Sequence, residues 1–437
     1  PASDAKVTYR ELHARVCKLA NAMRKLGVKK GDRVCIYLPM IVEAAVAMLA
    51  CARVGAVHSI VFGGFSPDSL ASRIQDSECV MLITADEGVR GGKAIPLKAN
   101  ADKALAACPN VHTCVVVERT GGDVNWQEGR DVRYQQAVDA ASADCPCESM
   151  DAEAPLFILY TSGSTGHPKG ALSSHRGILS ALYSWMCLGV ATKIAGTQAT
   201  RDAGLPPAAL VTIPLFHCTG SHSAFMLSLV VGRKMVIMHK WDPQEALRLI
   251  EHERITWFNG VPTMSAELQE AATTTRYDIS SLAEIMAGGA ARPPEQVRKI
   301  SGTFKNSSAG IGYGLTETNA LGAVNAGAFY VANPGSTGRV VPAVSQFSIL
   351  AEDGRALGVG ERGEVCFKSP ANVLGYWNKP EATAEAFIDG WFHTGDVGYM
   401  DEDGFLYIVD RIKEIIIRGG ENISCIEVEA AIYSHPD

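Results

Sequence analysis

The sequence predicts an α/β protein. Its large N-terminal domain combines two layered α/β subdomains with a small β-barrel, and a truncated α+β C-terminal domain follows. Two observations support this prediction. Helical and extended patterns alternate through most of the chain, and from about residue 336 short β-type runs separated by glycine-rich turns replace them. We therefore expect an α/β core over residues 1–335, the barrel over 336–410 and the start of the C-terminal domain over 411–437.

The first helix has the clearest boundaries. Thr8 and Glu11 have the spacing of a capping box, apolar residues then recur at helical spacing, and Gly27 suits the end of the helix. Strand and helix patterns alternate after it. We expect strands near 34–38, 59–62, 80–84 and 115–117, and helices near 41–54 and 66–77.

A polar stretch at 119–154 predicts a loop with one short helix, after which the alternation resumes. We expect strands near 157–160, 210–214, 235–238, 256–259 and 284–287, with helices between them. Turns such as Asp353-Gly354 separate the later β-type runs and favour a small antiparallel barrel. A hairpin after Asp410 and a helix from about residue 426 complete the prediction.

Composition excludes several classes of protein. The net charge of −7 and the absence of a long basic block argue against nucleic acid as a partner. The most apolar long stretch, 42–63, is interrupted by Glu43, Arg53 and His58, which argues against a membrane span. The 12 cysteines are scattered and no secretory leader opens the chain. We predict a cytoplasmic protein, a monomer or homodimer, that acts on a small molecule.

The strongest chemical signal is a loop rich in Ser, Thr and Gly that follows an apolar strand and ends in a lysine. It reads YTSGSTGHPKG over residues 160–170. Glycines let backbone N–H groups turn toward a polyanion, hydroxyls add donors, and Lys169 adds positive charge. Pro168 before the lysine excludes a Walker loop. A solvated Ser/Gly surface loop is the alternative to phosphate binding.

The loop resembles the phosphate-binding signature of the adenylate-forming (AMP-binding) superfamily, and further segments resemble its other motifs in the same order. By that resemblance GYGLTET at 312–318 holds the nucleotide: Gly312 and Tyr313 lie against adenine, Thr316 contacts the α-phosphate and Glu317 binds Mg²⁺. The segment Gly288-Gly289-Ala290 would line the adenine and acyl groups. Taken alone, GYGLTET could also be a capped strand-to-helix turn.

Later motifs extend the resemblance. Asp396, in WFHTGD at 391–396, would bind the ribose hydroxyls with help from Arg411. Lys413 falls where the superfamily has a hinge, and Gly419 begins a loop that swings toward coenzyme A. Arg90 lies in an element like the one that holds coenzyme A phosphates in acetyl- and propionyl-CoA synthetases. A solvated basic turn is the alternative for Arg90, and a helix or turn cap for Asp396.

The implied enzyme is an acyl-CoA synthetase that uses ATP, Mg²⁺ and coenzyme A. A carboxylate attacks ATP to give acyl-AMP and pyrophosphate, and the thiol of coenzyme A then displaces AMP. Thr316 and Glu317 would act on the reacting phosphate, with Thr165 as a second Mg²⁺ ligand. The remaining contacts to the triphosphate fall to the loop, namely Thr161, Ser162, Gly163, Ser164, Gly166 and Lys169.

Two parts of the chain resemble different relatives. The N-terminal third is similar to acetyl- and propionyl-CoA synthetases, through FGGF at 62–65 and the Arg90 element. The remainder is similar to medium- or long-chain acyl-CoA and aryl-CoA ligases, through SHRG at 174–177 and PLFH at 214–217. His217 would then line the acyl pocket, or be a satisfied core residue. Gly314 stands where acetyl-type enzymes have a tryptophan, which favours an acyl group larger than acetyl.

Three other functions are alternatives to an acyl-CoA synthetase. A non-catalytic nucleotide or acyl binder would bind ATP without forming acyl-AMP. An amino-acid adenylation domain that loads a carrier protein would need an acidic residue in the acyl pocket, and none is evident near Phe216 or Gly288. A dinucleotide-dependent oxidoreductase is disfavoured because the glycine cluster at 310–314 lacks the G-x-G-x-x-G spacing.

One departure from the superfamily predicts slow catalysis. The superfamily's C-terminal domain carries a near-terminal lysine that contacts the acyl carboxylate and the α-phosphate, and no such segment follows Pro436. Loss of one preorganised donor lowers enzyme rates by about 10²–10³-fold. We expect this chain to bind ATP but to catalyse ATP–pyrophosphate exchange slowly with a panel of carboxylic acids. Full-speed exchange would contradict the argument.

Overall fold

Parallel sheets covered by helices, together with a curled antiparallel sheet, form the fold, as the sequence predicts. The computed structural model describes residues 6–90, 92–161, 168–194, 204–411, 416–418 and 421–423, with backbone only at Arg90 and in the last two segments. The chain divides into two compact units. Unit 1 contains Pro1–His175 and Tyr376–Asn378, and unit 2 contains Arg176–Gly375 and Lys379–Asp437.

Unit 1 alternates strands and helices from its first element. The Thr8–Glu11 capping box is present at the start of its first helix, with both reciprocal hydrogen bonds formed. Its helices are α1 Tyr9–Lys25, α2 Val42–Val54, α3 Pro67–Asp76, α4 Leu97–Leu105 and α5 Tyr134–Asp139. Its strands are β1 Arg33–Leu38, β2 Val57–Phe62, β3 Met81–Ala85, β4 Gly88–Arg90, β5 Lys93–Ile95, β6 Thr113–Val117, β7 Asp131–Arg133, β8 Pro155–Tyr160 and β9 Gly170–Ser174.

Unit 2 adds a second alternating set and then short strands. Its helices are α6 His175–Ile194, α7 Leu227–Val231, α8 Pro243–Glu253, α9 Pro262–Ala272, α10 Pro294–Thr303, α11 Gly327–Ala332 and α12 Pro380–Ala386, with a π-helix at Thr219–Met226 and a 3₁₀ turn at Thr316–Thr318. Its strands begin with β10 Ala208–Val211, β11 Lys234–Ile237, β12 Trp257–Gly260, β13 Glu284–Gly288, β14 Ser308–Gly314, β15 Gly322–Ala326 and β16 Arg339–Val340. They continue with β17 Gln346–Leu350, β18 Gly363–Lys368, β19 Gly375–Tyr376, β20 Phe387–Ile388, β21 Trp391–Met400, β22 Leu406–Arg411, β23 Ile416–Arg418 and β24 Glu421–Ile423.

The strands form three main sheets. The first has the order β19-β9-β8-β2-β1-β3-β6-β7; its pairs from β8 to β7 are parallel, and the β8–β9 pair is antiparallel. The second has the order β11-β10-β12-β13-β14-β15-β16 and is parallel from β11 to β14. The third, β17-β18-β21-β20 with β22 beside β21, is antiparallel.

Apolar side chains on one face of the second sheet pack against its helices. Leu210, Phe258 and Ile285 on adjacent strands are completely buried, together with Leu247 and Ile250 of α8. Strand residues one position away point to the opposite face because side chains alternate along a strand. That opposite face of the sheet carries the cavity described below.

Within the part of the chain that the structure describes, one helix has the length and hydropathy of a membrane span. α6 has a mean hydropathy of 1.3 over its best window, and 28% of that window is buried within the protein. Length and composition are weak support for a span, because core helices pass the same test. Several residues of α6 line the cavity of unit 2.

A buried ion-pair network holds α4 to β7 in unit 1. The Lys98 side chain is completely buried, and its ammonium lies 2.8 Å from Asp131 and 2.7 Å from Asp102. Arg130 contacts Asp131 from the other side at 2.6 Å. Burial disfavours the charged form of Asp131, but the hydrogen bonds from Arg130 and Lys98 outweigh it and lower the pKa of this carboxyl.

Asp131→Ala should therefore lower the free energy of unfolding by about 3 kcal/mol, the lower end of the range for breaking a buried ion pair, because Lys98 stays buried with Asp102 as its remaining carboxylate partner. Urea unfolding measures the change. Glu118→Gln is the matched control, since it removes an ion pair with Arg133 whose side chains are about half exposed and which should contribute at most about 1 kcal/mol. Because the pKa of Asp131 is lowered on folding, its contribution should be complete above about pH 4 and disappear as pH falls further. Equal effects of both substitutions would contradict this assignment.

Candidate active site

The Ser/Thr/Gly-rich loop closes a β-hairpin. β8 and β9 pair antiparallel, and Tyr160 stands opposite Gly170. At the base of the loop the Thr161 amide donates to the Lys169 carbonyl at 3.0 Å, and the Lys169 amide donates to the Thr161 hydroxyl at 3.2 Å. Thr161 and Lys169, two of the predicted site residues, are thus brought together. The other loop residues of the prediction, Ser162 to Gly166, lie outside the described residues.

Lys169 is held beside an aromatic ring. Its ammonium lies 4.4 Å from the centre of the Tyr376 ring, within the range of a cation–π interaction. The Trp377 amide donates to the Gly170 carbonyl at 2.8 Å and fixes the neighbouring chain. Both contacts lie within unit 1, so they orient the lysine at the end of the hairpin independently of unit 2.

β14 presents two different faces at its carboxyl end. Gly312 and Gly314 line the cavity of unit 2. Tyr313 points to the other face, where its hydroxyl donates to a carboxylate oxygen of Asp396 at 2.6 Å. The Arg411 Nε donates to the second oxygen of Asp396 at 3.1 Å. The structure therefore brings together three predicted nucleotide-binding residues, Tyr313, Asp396 and Arg411.

The Asp396 carboxylate accepts hydrogen bonds on both oxygens. Tyr313 donates to one oxygen and Arg411 to the other, and a carboxylate can accept from several donors. Asp396 is 4% exposed, whereas nearly half of the Arg411 side chain is exposed. Burial and the nearby Asp396 charge raise the pKa of Tyr313, so its hydroxyl stays protonated and remains a donor. Two hydroxyls of a ribose are the kind of donors that such a carboxylate accepts.

The turn that carries Asp396 is fixed by a residue that sequence reasoning missed. Glu364 on β18 accepts from the Gly395 amide at 2.9 Å and lies 2.7 Å from Nδ1 of His393. With Cys366, these side chains form a group whose donor atoms all lie within 4.8 Å of one another and could hold a metal ion. Burial and then the Glu364 charge raise the pKa of the Cys366 thiol to about 12, which favours its protonated form.

The predicted phosphate and Mg²⁺ ligands follow β14 in the 3₁₀ turn Thr316–Thr318. The Val373 amide donates to the Glu317 carbonyl at 2.9 Å and anchors the turn. Asn319 ends it in a left-handed conformation, with φ 51°, and its amide oxygen lies 3.1 Å from Nε2 of His222. Burial lowers the pKa of His222 to about 4, so the ring is neutral near pH 7. The Thr318 hydroxyl is occupied by the Leu315 backbone, whereas the Glu317 carboxylate and the Thr316 hydroxyl are oxygen groups of the kind that suit a hard cation such as Mg²⁺.

A cavity of about 460 Å³ lies on the face of β14 that carries the glycines. Four predicted site residues line it, namely Gly288, Gly289, Gly312 and Gly314. Ala290 and His217 are exposed and do not line it. Nδ1 of His217 accepts from the Thr219 amide at 3.2 Å, and Thr219 does line the cavity. His217 thus holds a residue of the cavity wall.

The two glycines of β14 differ in the space around them. A Cβ at Gly314 would lie 2.4 Å from the Ala320 carbonyl oxygen, so a close backbone approach requires glycine there. A Cβ at Gly312 would meet nothing closer than the Ala287 carbonyl oxygen at 4.0 Å. The sequence prediction placed the open space at Gly314, and the structure shows that most of this freedom lies at Gly312.

Three of the predicted site residues remain, namely Arg90, Lys413 and Gly419. Arg90 ends β4, which pairs with β5 in a two-stranded hairpin, and its side chain is not described. Lys413 and Gly419 lie outside the described residues. Besides Glu364, sequence reasoning missed Glu284 and Arg233, which line the cavity. The sequence could have indicated Glu284 as a cavity residue through its spacing. It lies two residues before Met286 and four before Gly288, on the same face of an otherwise apolar strand.

Comparison with known proteins gives consistent matches. The model of the AMP-binding enzyme family matches residues 2–377. "Acetyl-coenzyme A synthetase 2" of Pseudomonas aeruginosa is 40% identical over 450 aligned residues, covering 100% of this chain and 68% of that protein. "Acetyl-coenzyme A synthetase" of Nostoc linckia is 69% identical over 179 residues, covering 41% of this chain and 53% of that protein.

Solved structures agree with the sequence comparison. ATP-bound MatB from Rhodopseudomonas palustris superposes with a TM-score of 0.83 at 28% identity, covering 100% of this chain and 79% of that one. The N-terminal domain of FACL13 from Mycobacterium tuberculosis superposes with a TM-score of 0.79 at 28% identity, covering 94% of each chain. The chain therefore belongs to the AMP-binding enzyme family, as an AMP-forming acid–thiol ligase of the acyl-CoA synthetase group.

Proposed function

We propose that this chain converts a carboxylic acid and ATP into acyl-AMP and pyrophosphate and then transfers the acyl group to coenzyme A. The arrangement around β14 is the observation that supports this reaction best. One face of the strand opens into a cavity, the other carries Tyr313 and Asp396, and the turn Thr316–Thr318 follows directly. An acyl group and a nucleotide bound on the two faces would meet at that turn.

The first step needs positioning more than covalent help from the protein. A carboxylate oxygen attacks the α-phosphorus, the bond to the bridging oxygen breaks, and pyrophosphate leaves with that electron pair. Thr316 would donate to the α-phosphate, and Glu317 would hold Mg²⁺, which when bound neutralises the departing pyrophosphate. Thr161 and Lys169 would act on the triphosphate as donors. In the second step the coenzyme A sulfur attacks the acyl carbonyl and AMP departs.

The size of the cavity favours an acyl group larger than acetyl. Its volume of about 460 Å³ is in the range of sites for whole small molecules. The names of the relatives point to acetate, whereas Gly312 on β14 leaves the cavity wall open. We therefore propose a medium-chain acid as substrate, and a cytoplasmic location stays a prediction from the sequence. Competition between acetate and decanoate in the exchange assay separates the two possibilities.

Lys169→Ala should weaken catalysis because it removes the positive charge placed at the end of the β8–β9 hairpin. We expect the rate of ATP–pyrophosphate exchange to fall by about 10²–10³-fold, the usual effect of losing one preorganised donor. Lys305→Ala, at an exposed position, is the control. Isothermal calorimetry with MgATP tests binding separately. Binding without acyl-AMP formation in the unaltered chain would instead favour a non-catalytic nucleotide binder.

Tyr313→Phe should weaken nucleotide binding, because it keeps the aromatic ring but removes the donor that orients Asp396. A hydrogen bond to a charged group contributes about 1.5–3 kcal/mol, so we expect the Kd for MgATP to rise by at least about tenfold. Tyr407→Phe is the matched control, since that hydroxyl reaches the Asp401 carboxylate at 3.3 Å in the same sheet. An unchanged Kd for Tyr313→Phe would contradict the role assigned to Asp396.

A further inference from the structure

Three side chains on one face of the antiparallel sheet bring a sulfur, a nitrogen and an oxygen donor together. Cys366 of β18 and His393 of β21 are register partners, so their side chains stand opposite each other on the same face. Glu364 precedes Cys366 by two residues and therefore shares that face. Val365 between them belongs to an apolar cluster instead. The register of two neighbouring strands thus places the three donors beside one another.

The distances between these donors suit a small metal ion. Sγ of Cys366 lies 3.5 Å from Nδ1 of His393, which lies 2.7 Å from Oε2 of Glu364. The donor atoms of the group all lie within 4.8 Å of one another. With bonds of about 2.3 Å to sulfur and 2.0 Å to nitrogen, a tetrahedral zinc ion separates these two ligands by about 3.5 Å. Cys366 and His393 already have that separation, so Glu364 is the side chain that has to adjust.

A backbone hydrogen bond orients the Glu364 carboxylate. Oε1 accepts from the Gly395 amide at 2.9 Å, which leaves Oε2 directed at the His393 ring. Gly395 belongs to a bulge, since β21 has three residues between the pairs Cys366–His393 and Glu364–Val397 where β18 has one. Carboxylates that bind metals are commonly held by such an outer hydrogen bond. The ligand most able to move is therefore still anchored on one oxygen.

The group is buried on the sulfur side and partly open on the other. Cys366 is completely buried, whereas about a fifth of the Glu364 and His393 side chains is exposed. An ion can therefore be reached from solvent at the carboxylate and the imidazole. Three protein ligands and one position toward solvent form the arrangement in which zinc keeps a water molecule.

We propose that Glu364, Cys366 and His393 bind Zn²⁺, with water as the fourth ligand, at a site formed by other residues than Glu317, the proposed Mg²⁺ ligand. Thiolate and imidazole ligands suit zinc, whereas Mg²⁺ requires oxygen ligands. On binding, the ion forms bonds to Sγ, Nδ1 and Oε2. The thiol loses its proton to solvent, and the proton on Nδ1 of the neutral ring moves to Nε2. The thiolate and the carboxylate then offset the two positive charges of the ion.

Metal titration of the whole chain, prepared without a polyhistidine tag, tests the proposal. Isothermal calorimetry with ZnCl₂ should detect binding that excess MgCl₂ does not prevent, and Zn²⁺ should raise the unfolding temperature because it binds the folded chain. Co²⁺ in place of Zn²⁺ should give the near-ultraviolet charge-transfer band of a thiolate–cobalt bond. Absence of zinc binding, displacement by Mg²⁺, or a cobalt spectrum without that band would overturn the proposal. None of these measurements depends on acyl-AMP formation, so this site and the proposed function can fail separately.

Variants locate the bound ion. Cys366→Ala and His393→Gln should each weaken Zn²⁺ binding by about 100-fold or more, because loss of even an outer partner of a ligand costs about 10–100-fold. Cys366→Ala should also abolish the cobalt band. Cys187→Ala and His112→Gln, both at exposed positions, are the matched controls and should change neither result.

Circular dichroism without metal shows which variants are folded, and either Cys366→Ala or His393→Gln gives the reading should the other fail to fold. Zinc affinity unchanged in a folded variant of Cys366 or His393 would place the ion on other ligands and overturn the proposal. Loss of the cobalt band in Cys187→Ala would overturn it in the same way.

Discussion

The pleat of a single strand, β14, governs the arrangement of unit 2. Because side chains alternate along a strand, Gly312 and Gly314 open one face while Tyr313 occupies the other. A slip of one residue would exchange these faces and place the tyrosine ring in the cavity. Neighbours on both sides prevent such a slip, since β14 pairs in parallel with β13 and antiparallel with β15. Close packing strengthens the constraint, because a Cβ at Gly322 of β15 would lie 2.3 Å from the Tyr313 carbonyl oxygen.

Hydrogen bonds between sheets extend this constraint to the antiparallel part of unit 2. The Tyr313 hydroxyl donates to Asp396 on β21. Apolar residues of β15, β17 and β18 pack against the Tyr313 ring. Glu364 on β18 fixes the turn before Asp396. The carboxylate is therefore positioned from two sides, by a residue of the parallel sheet and by a residue of its own sheet. Such duplicate support keeps a buried charge in one geometry.

Much of the fold follows from local patterns in the sequence. The capping box of α1 and the alternation of helices and strands depend on neighbouring residues, and the structure contains them with bounds shifted by a few residues. The strand predicted at 210–214 ends at Val211, and Pro214 cannot donate to a ladder. The motif residues Tyr313 and Asp396 were predicted by resemblance. Their hydrogen bond, between residues 83 positions apart, has no local signal.

The cavity, like the contact between Tyr313 and Asp396, has no local signal in the sequence. Its wall combines α6, the π-helix, α7, α11 and five strands, β12 to β16, so no short segment predicts it. The sequence identifies a glycine at position 314 but not the reason why glycine is needed there. Gly314 lines the cavity, and it also allows the Ala320 backbone to approach closely. In the sequence, Glu284 is recognisable only as an acidic residue on one face of a predicted strand. The pairing of β13 with β12 places that face against the cavity.

The length of β13 separates the two ends of the cavity wall in unit 2. The reacting groups proposed here follow the carboxyl end of β14, whereas Glu284 lies at the amino end of β13, four residues and about 13 Å along the strand before Gly288. Sites more than about 7–10 Å apart without shared partners usually contribute to free energy independently. A family member can therefore keep the adenylation residues that resemble those of its relatives while a different acyl group occupies the cavity. Family membership and the choice of acid then depend on different residues, so similarity to an acetyl-CoA synthetase indicates the family without specifying the acid.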